Sequence, residues 1–133
     1  MRTVRDVMRS DIEVLRTTES AADAASFLAS HGEETVPLCL SDGSLAGTVS
    51  SRDIVAKVIA KGRDPHQVLL SELAEADDVL GLDVDAPVDE AVSIMRHHQR
   101  ARLPVLEDDR VVGLVTQRDI ARSLTFRPSW DEC

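Results

Sequence analysis

The chain has 133 residues, 43% of them hydrophobic, and is therefore long enough to bury the core of one domain of ordinary size. Its formal net charge of −9 argues against an extended phosphate-binding face and so against nucleic acid as a partner, although a local basic pocket is compatible with this charge. The chain lacks a charged start followed by an apolar segment, and it has no apolar run of about 18 residues. We therefore expect neither a signal peptide nor a membrane span, and a cytoplasmic location.

The first part of the chain predicts a short helix, an extended piece and a longer helix. Thr3 stands three residues before Asp6, which is a helix-start spacing. An extended piece should lie between Ile12 and Leu15. The longer helix then has apolar residues at the helical interval and a glycine as its stop: Ala21, Ala24, Ala25, Leu28 and Gly32.

Two strands and a helix should complete the first half. Val36–Leu40 and Leu45–Val49 read as strands, joined by a polar turn that contains Gly43. The helix that follows has an apolar face and ends at Lys61 and Gly62. This half therefore predicts the order helix, strand, strand, helix.

The second half repeats this order. Gly113–Ile120 is a second copy of Gly47–Ile54, at an offset of 66 residues, and Leu103–Leu106 matches Val36–Cys39 at an offset of 67. The offset changes within a loop, where single-residue differences are tolerated. Val68–Leu73 resembles the opening turn, and Val88, Ala91, Val92 and Met95 reproduce the spacing of the first long helix. The chain is therefore predicted to be one pseudo-symmetric unit with tightly packed halves.

Each copy of the repeat carries groups that suit a nucleotide. Ser50 and Asp53 in the first copy, like Thr116 and Asp119 in the second, lie where a strand feeds the start of a helix. Unpaired N–H groups and the positive end of the helix dipole favour an anion there. A carboxylate can accept two hydrogen bonds from a vicinal diol, and the adjacent Arg52 or Arg118 can neutralise a phosphate.

The same spacing has a structural interpretation. Ser or Thr three residues before Asp is also an ordinary capping box at a helix start. The two copies, each preceded by Gly-x-Val and each containing Arg-Asp-Ile, favour a binding site. Capping and binding are compatible roles for the same residues.

These motifs resemble the tandem cystathionine-β-synthase (CBS) domain pair, or Bateman module. The resemblance covers Val4–Leu124, and the chain is similar to small bacterial stand-alone CBS-pair proteins, including the mycobacterial hypoxic-response type. It implies an α/β (α+β) fold, in which two βαββα units pack small sheets together, with helices outside and two clefts between the sheets. The boundaries we predict are 1–66 for the first repeat with its N-terminal helix, 67–126 for the second repeat, and 127–133 for a C-terminal tail.

The resemblance also implies a function. Such modules bind adenosine-containing ligands, with the Asp on the ribose and the Ser or Thr on ribose or phosphate. These roles carry over to Asp53 and Ser50 and to Asp119 and Thr116. Residues before the motif proline line the clefts, which points to Thr35 and Arg102.

The resemblance further implies a disc-shaped homodimer. We expect a non-enzymatic sensor of AMP, ADP or ATP, or else of S-adenosylmethionine or NAD. It would need no cofactor, would take the nucleotide as a regulatory ligand, and would signal through a protein partner. The alternative is a structural or stress-related interaction protein with vestigial clefts.

The two predicted clefts differ in charge. Glu33 and Glu34 stand where the second half has Arg100 and Ala101, so two acids near one cleft would repel a polyphosphate. This difference favours the Asp119 site over the Asp53 site.

Other candidate residues have simpler explanations. His31, His97 and His98 suit polar or cationic helix ends better than a metal site. Cys39 lies in an apolar strand, which favours packing over redox chemistry, and its distance from Cys133 in sequence predicts two free thiols. The acids Glu75, Asp77 and Asp78 lack the spacing of a calcium loop and indicate a solvated turn.

Overall fold

The computed structural model describes residues 2–74 and 80–123 and contains two similar halves. The first comprises α1 (Val4–Val7), β1 (Leu15–Arg16), α2 (Ala21–His31), β2 (Thr35–Cys39), β3 (Leu45–Ser50) and α3 (Ser51–Ile54), which continues into a π-helical turn over Val55–Ile59. The second comprises α4 (Leu70–Leu73), β4 (Leu82–Asp83), α5 (Val88–His98), β5 (Arg102–Glu107), β6 (Arg110–Thr116) and α6 (Gln117–Ser123). The predicted mixed fold and its internal repeat are confirmed.

Each half builds one three-stranded sheet with the same topology. β1 runs parallel to β2, and β2 pairs antiparallel with β3; β4, β5 and β6 repeat this arrangement. Thr35 lies opposite Ser50 in the first sheet, and Arg102 lies opposite Thr116 in the second. The register therefore places both cleft residues predicted near the motif prolines beside the hydroxyl residues of the repeat.

The ends of the long helices follow the predicted signals closely. Ser20 caps α2 by accepting a hydrogen bond from the Asp23 N–H group at 3.1 Å, and Gly32 ends the helix with φ 62°. Positive φ suits glycine because it has no Cβ to clash with the backbone. Pro87 stands at the N-cap position of α5.

The opening turns of the two halves are exchanged. The N–H groups of Val4 and Arg5 donate to the carbonyls of Ala86 and Val84, and the Val4 side chain lies in the core of the second half. Conversely, α4 packs on the first half, where Leu70 and Leu73 join the core. In sequence each turn belongs to one half, but in the structure it packs in the core of the other half. This exchange joins the two halves.

Two apolar cores lie beneath the helices. Leu28, 4% exposed, faces the first sheet, and Met95, 2% exposed, faces the second, as the sequence predicts. Cys39 lies buried in β2, and burial raises the pKa of its thiol, because the charged thiolate is poorly solvated there. Both features agree with a packing role for Cys39.

Gly113 permits a close approach between β6 and the segment that follows α1. A Cβ atom at this position would lie 2.6 Å from the Arg9 carbonyl oxygen and 2.8 Å from the Met8 sulfur. The Arg9 N–H group donates to the Leu114 carbonyl at 2.8 Å, and the Leu114 N–H group donates back at 2.9 Å. Glycine therefore lets the N-terminal segment pair directly with β6.

Candidate functional site

The first motif copy forms the capping box that its spacing predicts. The Ser50 hydroxyl accepts a hydrogen bond from the Asp53 N–H group at 3.0 Å, and the Asp53 carboxylate accepts one from the Ser50 N–H group at 2.9 Å. Lys57 also lies 3.7 Å from this carboxylate, whose side chain is 32% exposed. Asp53 therefore has a structural role that leaves part of its carboxylate accessible.

The second copy differs in what its carboxylate contacts. The Thr116 hydroxyl again accepts a hydrogen bond from the backbone N–H group of Asp119, at 3.0 Å. The carboxylate of Asp119, however, accepts three hydrogen bonds from the guanidinium of Arg9, at 3.1–3.3 Å. The Asp119 side chain is only 11% exposed. The same sequence motif thus occurs in two electrostatic settings.

A small cavity, which we call the first cleft, lies between the two halves. It measures about 250 Å³, and its lining includes Thr35 and Thr48 from the first half and Arg100 and Arg102 from the second. Glu34 also lines this cavity. Its volume lies somewhat below the roughly 300–1,000 Å³ that is usual for small-molecule sites.

A larger cavity, the second cleft, lies next to the second motif copy. It measures about 520 Å³, and Thr116, Gln117 and Arg118 line it from the second half. Gly32 and Glu33 line it from the first half. This volume lies within the range typical of small-molecule sites.

A third cavity of about 250 Å³, the side chamber, has four lining residues in common with the second cleft: Arg9, Glu33, Arg102 and Leu114. Ile12, Val36 and Pro37 give the chamber apolar walls, and Phe27 and His31, stacked with ring centroids 4.2 Å apart, also line it. Asp11 and Glu13 also line the chamber, so its lining is mixed. Its apolar and aromatic part can pack on a flat heterocycle whose polar part stays in the second cleft.

The two adjacent glutamates lie at different cavities. Glu34 lines the first cleft, whereas Glu33 lines the second and forms an ion pair with Arg102. The prediction that both acids lie near one cleft was wrong, because the two residues line different cavities. The charge difference therefore does not by itself favour Asp119 over Asp53.

The predicted site residues are only partly brought together. Thr116, Arg118 and Arg102 line the second cleft, and Thr35 and Arg102 line the first cleft and the side chamber. Asp119 is linked to the second cleft through Arg9, while Ser50, Arg52 and Asp53 are not among the residues lining these three cavities. Arg9 is the site residue that the sequence analysis missed, because it lies 110 positions before its partner.

The histidines considered as metal ligands lie near other side chains and are not gathered into a metal site within the described part of the chain. His31 lies 3.8 Å from the Glu13 carboxylate, and His97 packs edge-on against His98. Within residues 2–74 and 80–123, no group of three or more His, Cys, Asp or Glu side chains is able to hold a metal ion. The acids Glu75, Asp77 and Asp78 lie outside the described residues, as do Cys133 and the predicted C-terminal tail.

The described helices are also too short or too polar to cross a membrane.

Comparison with known proteins decides the family. The family model of the CBS domain matches twice, at residues 4–60 and 71–125. The chain belongs to the CBS-domain family. The paired matches confirm the resemblance of the duplicated motifs, and membership favours a regulatory rather than a catalytic role.

Relatives that match along most of their length support this assignment. The chain is 37% identical over 124 residues to Hypoxic response protein 1 of Mycobacterium tuberculosis, covering 93% of the chain and 86% of that protein. A crystal structure of Hypoxic Response Protein I with two coordinated zinc ions superposes with a TM-score of 0.84 at 36% identity, covering 92% of this chain and 99% of that one.

A second solved structure carries ligands of the expected class. It is the CBS domain pair of protein MJ0100 in complex with 5′-methylthioadenosine and S-adenosyl-L-methionine. It superposes with a TM-score of 0.75 at 28% identity, covering 92% of this chain and 99% of that one. The MJ0100 pair thus binds adenosine-containing small molecules.

Proposed function

We propose that this protein is a non-enzymatic sensor that binds an adenosine-containing ligand, with AMP as the simplest candidate, in the second cleft. The proposal rests on the size and lining of this cleft. It offers about 520 Å³ beside Thr116 and Arg118, and it connects through Arg9 to the carboxylate of Asp119. A hydroxyl, a cation and a nearby carboxylate form a set that can recognise ribose and phosphate together.

The neighbouring side chamber suits the base. Adenine is flat and largely apolar on its faces, and the chamber offers Ile12, Val36 and Pro37 beside the Phe27–His31 stack. A ligand with its base in the chamber would present its ribose toward Asp119 and its phosphate toward Arg118. The adenosine-containing ligands of the MJ0100 pair support this class of ligand.

Signalling follows from the position of the cleft between the halves. Gly32 and Glu33 line it from the first half, and Thr116–Arg118 line it from the second. A ligand that contacts both halves favours the arrangement that fits it best and shifts the population toward that arrangement. We propose that a protein partner binds one of the two arrangements preferentially. We also propose that the protein acts in the cytoplasm.

The experiment that tests the ligand site compares AMP with adenosine by titration calorimetry. Arg118→Ala should weaken AMP binding by about 10- to 150-fold, because a charge-assisted contact is worth about 1.5–3 kcal/mol. Adenosine, which lacks the phosphate, should bind both proteins alike. Arg122→Ala is the matched control, since Arg122 lies on the same helix but does not line the second cleft.

Two results would count against the proposal. If the unmodified protein binds no adenosine-containing ligand at millimolar concentration, the clefts are vestigial and the interaction-protein alternative replaces the sensor. If Arg118→Ala leaves AMP affinity unchanged, the phosphate does not bind where we place it.

We also propose that the protein is a homodimer. Val55 and Ile59, on the π-helical turn after α3, are 60% and 55% exposed. Val55 also lines a largely apolar groove together with Ala25, Leu28 and Ala29 of α2. A continuous apolar surface of this kind on two helices suits an interface between identical subunits.

Sedimentation provides the test of the dimer. At micromolar concentration, the unmodified protein should sediment at twice the 14.5 kDa mass of one chain. Val55→Lys should shift it toward the monomer, because it places a charge within the proposed interface. Leu40→Lys is the control, since Leu40 is 46% exposed but lies outside the groove. Sedimentation of the unmodified protein at 14.5 kDa would refute the dimer.

A further inference from the structure

We propose that Arg9 is an internal competitor for the ribose site of the second cleft. Its guanidinium forms the three hydrogen bonds to Asp119 described above, and this carboxylate is the group that a ribose diol would need. A ligand must therefore displace Arg9 before its hydroxyls can reach Asp119. This inference rests on the proposed function and adds a regulatory element to the same site.

The backbone holds Arg9 in this position. Its N–H and carbonyl groups both pair with Leu114 of β6, at 2.8 and 2.9 Å. Gly113 permits this pairing, since any Cβ at that position would meet the Arg9 carbonyl oxygen at 2.6 Å. The backbone pairing thus fixes where the Arg9 side chain begins. This side chain is about half exposed and has room to move away from Asp119.

The first motif copy has no counterpart of this arrangement in its sequence. α1 (Val4–Val7) and α4 (Leu70–Leu73) are 66 residues apart, and this offset places Glu75 at the position equivalent to Arg9. An acidic side chain cannot neutralise the carboxylate of Asp53, whatever its conformation. The Asp53 carboxylate has Lys57 at 3.7 Å instead, so the two copies pair their carboxylates with cations from different parts of the chain.

The need to displace Arg9 has two consequences for ligand binding in the second cleft. The affinity for a ribose is lowered by the free energy needed to break the Arg9–Asp119 pair, because binding-competent molecules are then a minor population. Once released, the guanidinium still lies at the cleft, which it also lines, where a phosphate can accept its hydrogen bonds. Arg9 therefore opposes adenosine more strongly than it opposes AMP.

Calorimetry with adenosine tests this competition. Adenosine carries the diol and no phosphate, so a displaced Arg9 gains no new partner from it. Arg9→Met keeps an extended side chain and removes its hydrogen bonds, and it should tighten adenosine binding by about tenfold or more, the effect of one charge-assisted contact. The gain should vanish in the Arg9→Met, Asp119→Asn double variant, because the released carboxylate is then gone.

Arg5→Met is the matched control. Arg5 lies on the same N-terminal segment and forms ion pairs with Glu107 and Asp85, away from the cleft linings. It should leave adenosine affinity unchanged. Thermal melts of all variants establish that each is folded at the temperature of the titration.

Three results would refute the competitor role, and they differ in what they imply for the proposed function. If the unmodified protein binds AMP, and Arg9→Met binds adenosine no more tightly than the unmodified protein does, the competitor role is refuted while the proposed function stands. If Arg9→Met weakens adenosine binding, Arg9 is a ligand contact and the competitor role is likewise refuted. If neither protein binds AMP or adenosine, both proposals are overturned.

Discussion

Truncation of Leu28 or Met95 to alanine is expected to lower the free energy of unfolding by about 2–5 kcal/mol in each case. Both side chains are almost fully buried, one in each apolar core, so each change removes packed atoms and leaves a cavity. Denaturant unfolding followed by circular dichroism measures the loss. Leu40→Ala is the control, since Leu40 is 46% exposed, and it should change stability by no more than about 0.5 kcal/mol.

The exchange of the opening turns adds a second expectation for the same variants. Because α1 packs in the second core and α4 in the first, neither half can complete its core alone. The unmodified protein and each variant should therefore unfold in a single transition, whichever half carries the substitution. Two separate transitions, with only one of them shifted by Leu28→Ala, would show that the halves are independent domains.

Gly113→Ala is expected to cost about 1–3 kcal/mol and to detach the segment around Arg9 from β6. The new Cβ would lie 2.6 Å from a backbone oxygen, which cannot move aside without breaking the pairing with Leu114. Hydrogen exchange measures the local effect: the amides of Arg9 and Leu114 should lose their protection.

Gly62→Ala separates this local effect from general destabilisation. Gly62 has φ 70°, and a Cβ added there would meet no heavy atom of the described residues within 4 Å. Alanine at this position therefore costs stability only through backbone strain, of about 1–2 kcal/mol. The Arg9 and Leu114 amides should stay protected in this control. Equal protection in Gly113→Ala would mean that the close approach at Gly113 does not hold the N-terminal segment.

Local pattern was sufficient to predict the repeated elements. The helical spacing that ends in Leu28 and Met95 predicts both long helices and most of the side chains they bury, although Ala25, which shares this spacing, is exposed. The hydroxyl-to-acid spacing predicts the hydrogen bonds at the start of α3 and α6. These features depend on residues within one or two turns of each other, which is the range over which sequence periodicity carries information.

Features that depend on distant residues were not predictable in this way. The exchange of α1 and α4 is decided by which core each turn completes, and the Arg9–Asp119 pair joins opposite ends of the chain. The separation of Glu33 and Glu34 depends on how the halves meet.

The π-helical turn at Val55–Ile59 was not predictable for a local reason. The apolar spacing there fits an ordinary α-helix equally well.

The site itself was predicted as a set of residue types rather than as a geometry. Thr116 and Arg118 do line a cleft, while the partner of the Asp119 carboxylate became visible only in the folded chain. A charge partner that lies far away in sequence decides whether a motif is open to a ligand, and a motif search cannot detect it.

A crystal structure of the protein with millimolar AMP would show the ligand site itself. We expect a nucleotide in the second cleft, with its ribose hydroxyls within hydrogen-bonding distance of the Asp119 carboxylate, its phosphate at Arg118, and Arg9 moved off Asp119. A second cleft without nucleotide and an unbroken Arg9–Asp119 pair, in crystals whose cleft is open to solvent, would contradict this expectation.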